Sequence, residues 1–93
     1  MPDLTQKVII SKDIWTSEVG GEAVLLNTVT GKYFELDEVG ARMWKLMAEH
    51  GTLEPVFQAL LAEYDVAPQK LEDDLLSLAN QLAEKGLVQI VPA

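Results

Sequence analysis

The sequence contains no cysteine and a single histidine, His50. Without cysteine the protein has no disulfide, no thiolate metal site and no cysteine nucleophile. One histidine cannot form the histidine pairs that hold many catalytic zinc ions. Basic residues are also few, because 7 Lys and Arg stand against 15 Asp and Glu, which gives a net charge of −8. This charge disfavours sequence-independent binding to nucleic acid or anionic membrane, and it fits either a solubilised surface or a positively charged partner.

Long apolar runs are missing as well. No segment approaches the ~18–20 apolar residues that span a bilayer, and residues 1–5 lack the basic and apolar layout of a secretory signal. The composition, with 48% apolar and 24% charged residues, is that of an ordinary globular protein. We therefore expect one cytoplasmic domain over residues 1–93, with its core at about 7–91.

The N-terminal third of the chain is rich in residues that favour β-strands, in segments at 8–10, 14–19, 23–26 and 32–36. Gly20-Gly21 is the kind of turn that tight hairpins need, because glycine takes a positive φ at little cost. Gly31 is expected at the left-handed position of the next turn. The unbroken apolar run at 23–26 predicts a central strand covered on both faces. Residues 8–19, interrupted at 11–13, supply the first strand, and with the segments at 23–26 and 32–36 they predict a three-stranded antiparallel meander.

The other two thirds are typical of helices. Asp37 and Thr52 are good N-caps for a first and a second helix, and Gly51 is a stop signal between them. Pro68 opens a third helix, which carries a stripe of leucines at helical spacing: Leu71, Leu75, Leu78 and Leu82. The apolar tail at 87–91 adds a strand or caps the core. Three strands followed by three helices predict an α+β fold similar to a winged helix-turn-helix.

Catalysis and DNA binding find little support in the sequence. Only His50 and scattered carboxylates are available to a minimal enzyme, without a phosphate-binding loop or a nucleophile elbow. Nothing indicates a cofactor or a metal. A winged-helix transcriptional regulator is the alternative, but its recognition helix should be positive. Residues 68–85 instead hold two lysines against four carboxylates, a net charge of −2.

The edge of the meander offers a site for a peptide. The strand at 32–36 should lie at an edge, where free N–H and C=O groups bind extended chains. Alternation places Phe34 and Leu36 on one face of this strand, and Tyr33 and Glu35 on the other. A third helix packed beside this edge would complete a groove with apolar walls. An unfilled edge also predicts a weak homodimer.

The third helix has two apolar strips. Taken singly, Leu75, Leu78 and Leu82 are better explained as core residues. A second strip lies beside them, formed by Leu76, Ala79 and Ala83. It either packs on a neighbouring helix or lines the groove.

A set of motifs follows in order along residues 13–91: Val24-Leu25-Leu26-Asn27, Thr30-Gly31-Lys32-Tyr33-Phe34-Glu35-Leu36-Asp37-Glu38-Val39-Gly40, Met43-Trp44, Tyr64 and Lys85-Gly86-Leu87-Val88. Together they resemble the PqqD-like family, the RiPP recognition elements of ribosomal peptide biosynthesis. Two departures are mild: Asp37 stands where asparagine is common, and Met43 where a branched aliphatic residue is common.

This resemblance implies a non-catalytic protein that captures the leader segment of a precursor peptide. The leader would bind as a fourth antiparallel strand in the groove between third strand and third helix. Carried over to this chain, the resemblance implies peptide-binding residues on both elements: Lys32, Tyr33, Phe34, Glu35, Leu36, Asp74, Leu75, Leu78, Ala79 and Leu82.

The resemblance also implies an enzyme partner for a free-standing protein of this kind. In lasso-peptide systems, which we prefer, the enzyme is a leader peptidase. In the PqqD system proper, which is the alternative, it is a radical SAM enzyme. The acidic surface would suit a leader rich in Lys and Arg, with an attraction that weakens as salt rises.

Overall fold

The structure is a computed structural model that describes residues 3–92. Residues 1, 2 and 93, at the ends of the expected domain, lie outside the described residues. Eight elements follow one another along the chain: β1 (Lys7–Ile10), β2 (Ile14–Val19), β3 (Glu22–Asn27), β4 (Tyr33–Leu36), α1 (Glu38–His50), α2 (Leu53–Glu63), α3 (Pro68–Glu84) and β5 (Val88–Val91).

The sheet that we expected is present, with strand order β2-β3-β4 and antiparallel pairing throughout. Gly20 and Gly21 form its first turn, with φ of 62° and 87°, values that residues other than glycine adopt only with strain. Three helices follow the sheet. This confirms the α+β, winged-helix-like fold.

One expectation for the central strand β3 is wrong. Ala23 and Leu25 are buried, but Val24 between them is 38% exposed. The three helices cover only one face of the sheet, so β3 alternates between core and solvent. A run of apolar residues therefore marks a central strand here without marking a doubly covered one.

β1 and β5 form a separate two-stranded antiparallel ribbon. Residues 8–10 therefore do not belong to the meander, and the apolar tail adds a strand rather than only capping the core. The ribbon is attached to the helices through the backbone, because the Val8 N–H donates to the Gly51 carbonyl at 2.9 Å. The Val8 side chain is buried, whereas Ile9 faces solvent.

The two proposed N-caps behave differently. The carboxylate of Asp37 accepts a hydrogen bond from the Gly40 N–H at 2.8 Å, as a capping residue should. Thr52 occupies the N-cap position of α2, but its side chain makes no capping hydrogen bond. A different free donor at the start of α2 is satisfied by the backbone, because the Leu53 N–H donates to the Gln6 carbonyl at 3.1 Å.

The core lies between the covered face of the sheet and the three helices, and all four leucines of the predicted stripe on α3 belong to it. The largest fully buried side chains come from both sheet and helices: Leu25, Met47, Leu53, Val56, Leu60, Leu75, Leu82 and Leu87. None of the helices within residues 3–92 has the length and apolar character needed to cross a membrane.

Candidate functional site

The open edge of β4 is the first component of the candidate site. Within the described residues β4 pairs on one side only, with β3. The Asn27 N–H donates to the Lys32 carbonyl at 2.8 Å, immediately before the strand. Because hydrogen-bonded pairs alternate along an antiparallel ladder, Phe34 turns its N–H and C=O toward β3. Tyr33 and Glu35 therefore direct theirs to the open edge.

The side chains of β4 alternate as the sequence predicts. Leu36 is buried and Phe34 is half-buried, both on the face that the helices cover. Tyr33 and Glu35 are exposed on the opposite face. Register pairs Tyr33 with Leu26 of β3, and Leu26 with Trp15 of β2. A row of two exposed aromatic rings with a half-buried leucine between them thus runs across the outer face of the sheet.

A cleft of about 510 Å³ lies beside this edge. Its lining joins the start of β4 to the residue that follows α3: Gly31, Lys32, Tyr33, Phe34, Glu35 and Lys85. Four of the five strand residues that the sequence singled out therefore line one cleft. The fifth, Leu36, is buried beneath the sheet.

Asn27 holds the two walls of this cleft together. Its side-chain N–H group donates to the Gly86 carbonyl at 3.1 Å, just past the end of α3. Its side-chain oxygen accepts from the N–H groups of Val29 at 2.9 Å and Thr30 at 3.1 Å, which shapes the turn before β4. Among residues 3–92, Asn27 is the one polar residue that is buried, with 6% of its surface exposed. It positions the end of α3 beside the start of β4.

The predicted residues of α3 divide into two groups. Leu75, Ala79 and Leu82 have no exposed surface, so they support the groove from the core and do not line the cleft. Leu78 keeps 9% of its surface exposed, more than the other core side chains, and Asp74 is exposed. Neither of these two lines the cleft itself.

The flank of α3 that continues from the cleft follows from helix geometry. Lys85 lines the cleft, and positions four, seven and eleven residues before it lie on the same face of a helix. These positions are Gln81, Leu78 and Asp74. Asp74 and Leu78 are therefore on the cleft side of α3. Gln81 and Lys85 were missing from the sequence-based set, although the same spacing from Asp74 would have identified them.

The ion pairs of the described residues lie outside the cleft. Arg42 on α1 holds Glu63 at the end of α2 through two hydrogen bonds, of 2.8 Å and 2.6 Å. The hydrogen bond from Arg42 lowers the pKa of Glu63 and raises that of Arg42, against a smaller opposing effect of desolvation.

Within residues 3–92 there is no cluster of three or more His, Cys, Asp or Glu side chains that could hold a metal ion.

A family model described as coenzyme PQQ synthesis protein D, PqqD, matches residues 22–88. The match includes β3, β4 and all three helices, and thus the whole candidate site. The chain belongs to the PqqD family. This confirms the resemblance seen in the sequence to PqqD-like proteins, the RiPP recognition elements.

Two solved structures are similar to this PqqD-family chain. TbiB1 in complex with the TbiA(beta) leader peptide is 38% identical, with 87% of this chain and 94% of that chain covered and a TM-score of 0.81. Lasso peptide synthetase B1 complexed with the leader peptide is 24% identical, with 89% of this chain and 98% of that chain covered. Its TM-score of 0.78 shows that the two chains share a fold. A search of curated proteins found no match.

Proposed function

We propose that this protein binds the leader segment of a ribosomally made precursor peptide and catalyses no reaction itself. The leader adds to β4 as a fourth antiparallel strand, in the groove between β4 and α3. The observation that carries this proposal is the open edge of β4 beside a cleft, in a PqqD-family fold. The solved structure of TbiB1, which is 38% identical to this chain, is that of its complex with a leader peptide.

The backbone of β4 supplies the affinity in this proposal. Tyr33 and Glu35 present N–H and C=O groups that an extended peptide can pair with. Such pairing is largely independent of the guest sequence. Alternate guest side chains then face opposite sides of the extended sheet. One set meets the cleft and the flank of α3 at Leu78, and the other lies beside Tyr33 on the outer face.

The bound leader is delivered to a processing enzyme in this proposal. We place the pathway in the lasso-peptide class, with a leader peptidase as partner, and the fold shared with a lasso peptide synthetase B1 agrees with this choice. A PQQ-type pathway with a radical SAM enzyme is the second candidate, which the match to the PqqD family model favours.

Two proline substitutions on neighbouring residues test strand addition. Glu35→Pro removes an N–H that points to the open edge, and proline is tolerated on edge strands, so the protein should fold and lose peptide binding. Glu35→Ala keeps the N–H and removes only the carboxylate, so it should lose at most about fivefold in affinity, far less than Glu35→Pro. Phe34→Pro removes an N–H that pairs with β3 and should destabilise the fold itself.

Binding is measured by fluorescence anisotropy with two labelled peptides, the TbiA(beta) leader and the leader of any precursor encoded beside this chain. Circular dichroism verifies the fold of each variant. A folded Glu35→Pro protein that binds like the wild type would exclude β4 as the binding edge. Failure of the wild type to bind either leader would exclude the proposed function.

A further inference from the structure

The charge of the cleft differs from the charge of the whole protein. Lys32 and Lys85 both line it, together with one carboxylate, that of Glu35. The chain has a net charge of −8, and only 7 of its residues are Lys or Arg. Within the described residues neither of the two lysines forms an ion pair. Both ammonium groups are therefore available to a guest.

The two lysines belong to the same end of the groove. Asn27 donates its backbone N–H to the Lys32 carbonyl at 2.8 Å and its side-chain N–H to the Gly86 carbonyl at 3.1 Å. Lys85, next to Gly86, is thereby kept near the start of β4. The neighbouring carboxylate of Glu84 accepts from Asn80 at 3.2 Å and does not line the cleft.

Glu35 lies at the other end of β4 and on the other face. It is three residues from Lys32, about 10 Å along an extended strand. Lys32 directly precedes β4, and its carbonyl accepts from the Asn27 N–H as the next pair of the ladder would. Continuing the alternation of β4 by one residue places Lys32 on the helix side and Glu35 on the outer side. A guest that runs antiparallel to β4 passes Glu35 first and Lys32 three residues later.

We propose that the groove selects a guest peptide by a charge pattern, a basic residue followed three positions later by an acidic residue. The basic residue pairs with Glu35 on the outer face. The acidic residue lies opposite Lys32, where Lys85 is also near. This inference rests on the proposed function, because it takes strand addition to β4 as its geometry. The net charge of the protein alone favours a guest peptide with a general excess of Lys and Arg. The charges of the groove favour a guest with an ordered pair of opposite charges instead.

The pattern also sets direction and register. A peptide bound parallel, or shifted by one residue, would place its charges against the wrong partners or on the wrong face. Exposed ion pairs are weak, so each contributes at most about fivefold in affinity. Exchanging the two charges turns two attractions into two repulsions, and we expect a loss of about tenfold.

A display library of random dodecapeptides, selected on this protein, tests the pattern. Binders that require the β4 edge are identified by weaker binding to a folded Glu35→Pro protein than to Glu35→Ala, because both variants lack the carboxylate and only Glu35→Pro lacks the N–H. Among these we expect enrichment of Lys or Arg three residues before Asp or Glu. A Lys32→Glu/Lys85→Glu double variant should select a basic residue in place of the acidic one. The matched control, Lys7→Glu/Lys45→Glu, changes net charge equally at two residues that do not line the cleft, and should keep the wild-type pattern.

Representative binders are then synthesised with the two charges in either order, and their affinities are compared by anisotropy. Edge-dependent binders that show no charge pattern, or equal affinity for both orders, would overturn this inference and leave strand addition standing. A library without any edge-dependent binder would overturn the proposed function, and the charge pattern with it.

Discussion

Asn27 connects the two elements of the groove although it contacts no guest in the proposed arrangement. Replacing it with alanine removes the acceptor for Val29 and Thr30 and leaves the Gly86 carbonyl without its donor. Because the site is buried, we expect Asn27→Ala to lower the free energy of unfolding by about 2 kcal/mol. It should also weaken peptide binding, since the end of α3 is no longer tied to β4.

Urea denaturation measures this effect, with Thr28→Ala as the matched control. Thr28 is the next residue and is exposed, and its hydroxyl donates to the Asp13 carbonyl at 3.0 Å. Its replacement should cost about 0.5 kcal/mol or less. Equal losses for the two variants would mean that the buried network of Asn27 does not stabilise the fold.

At the scale of elements, the β1–β5 ribbon is held by one buried face. Val8 is 5% exposed and packs into the core, whereas Ile9 beside it is 52% exposed. Val8→Ala removes two buried carbons and leaves a cavity, so we expect a loss of about 2 kcal/mol in the free energy of unfolding. Ile9→Ala removes more carbon atoms but should cost about 0.5 kcal/mol or less.

Thermal and urea unfolding of both variants compare the two faces of the ribbon directly. If the larger loss came from Ile9→Ala, the ribbon would be packed through its other face. Because β4 makes no pair with the ribbon, the Val8→Ala protein should still bind a peptide under conditions where it is folded.

Elements set by neighbouring residues were the ones that the sequence predicted best. The Gly20-Gly21 turn and the alternation along β4 depend on residues close in the chain, and the structure has both. The pairing of β1 with β5 joins opposite ends of the described chain, and no local pattern encodes such a partner. Helical spacing likewise identified the leucine stripe of α3. It could not show which flank lies toward the cleft, because that depends on the contact between Asn27 and Gly86.

At the scale of the whole molecule, the net charge of −8 acts differently on two partners that would compete for β4. One is a second copy, the weak homodimer that an open edge predicts. Two copies carry the same charge and repel each other, so salt that screens this repulsion should strengthen the dimer. The other partner is the guest peptide. Its proposed pairs with Glu35, Lys32 and Lys85 are attractive, so salt should weaken its binding.

The opposite signs make salt the variable that separates self-pairing from guest binding. We expect sedimentation equilibrium to show more dimer as NaCl rises from about 0.05 M to about 0.5 M, while the anisotropy of a labelled binder shows weaker peptide affinity over the same series. Glu35→Pro should abolish both, because both use the same outward N–H groups. A dimer that persists in this variant, or that weakens with salt, would place self-association on another surface.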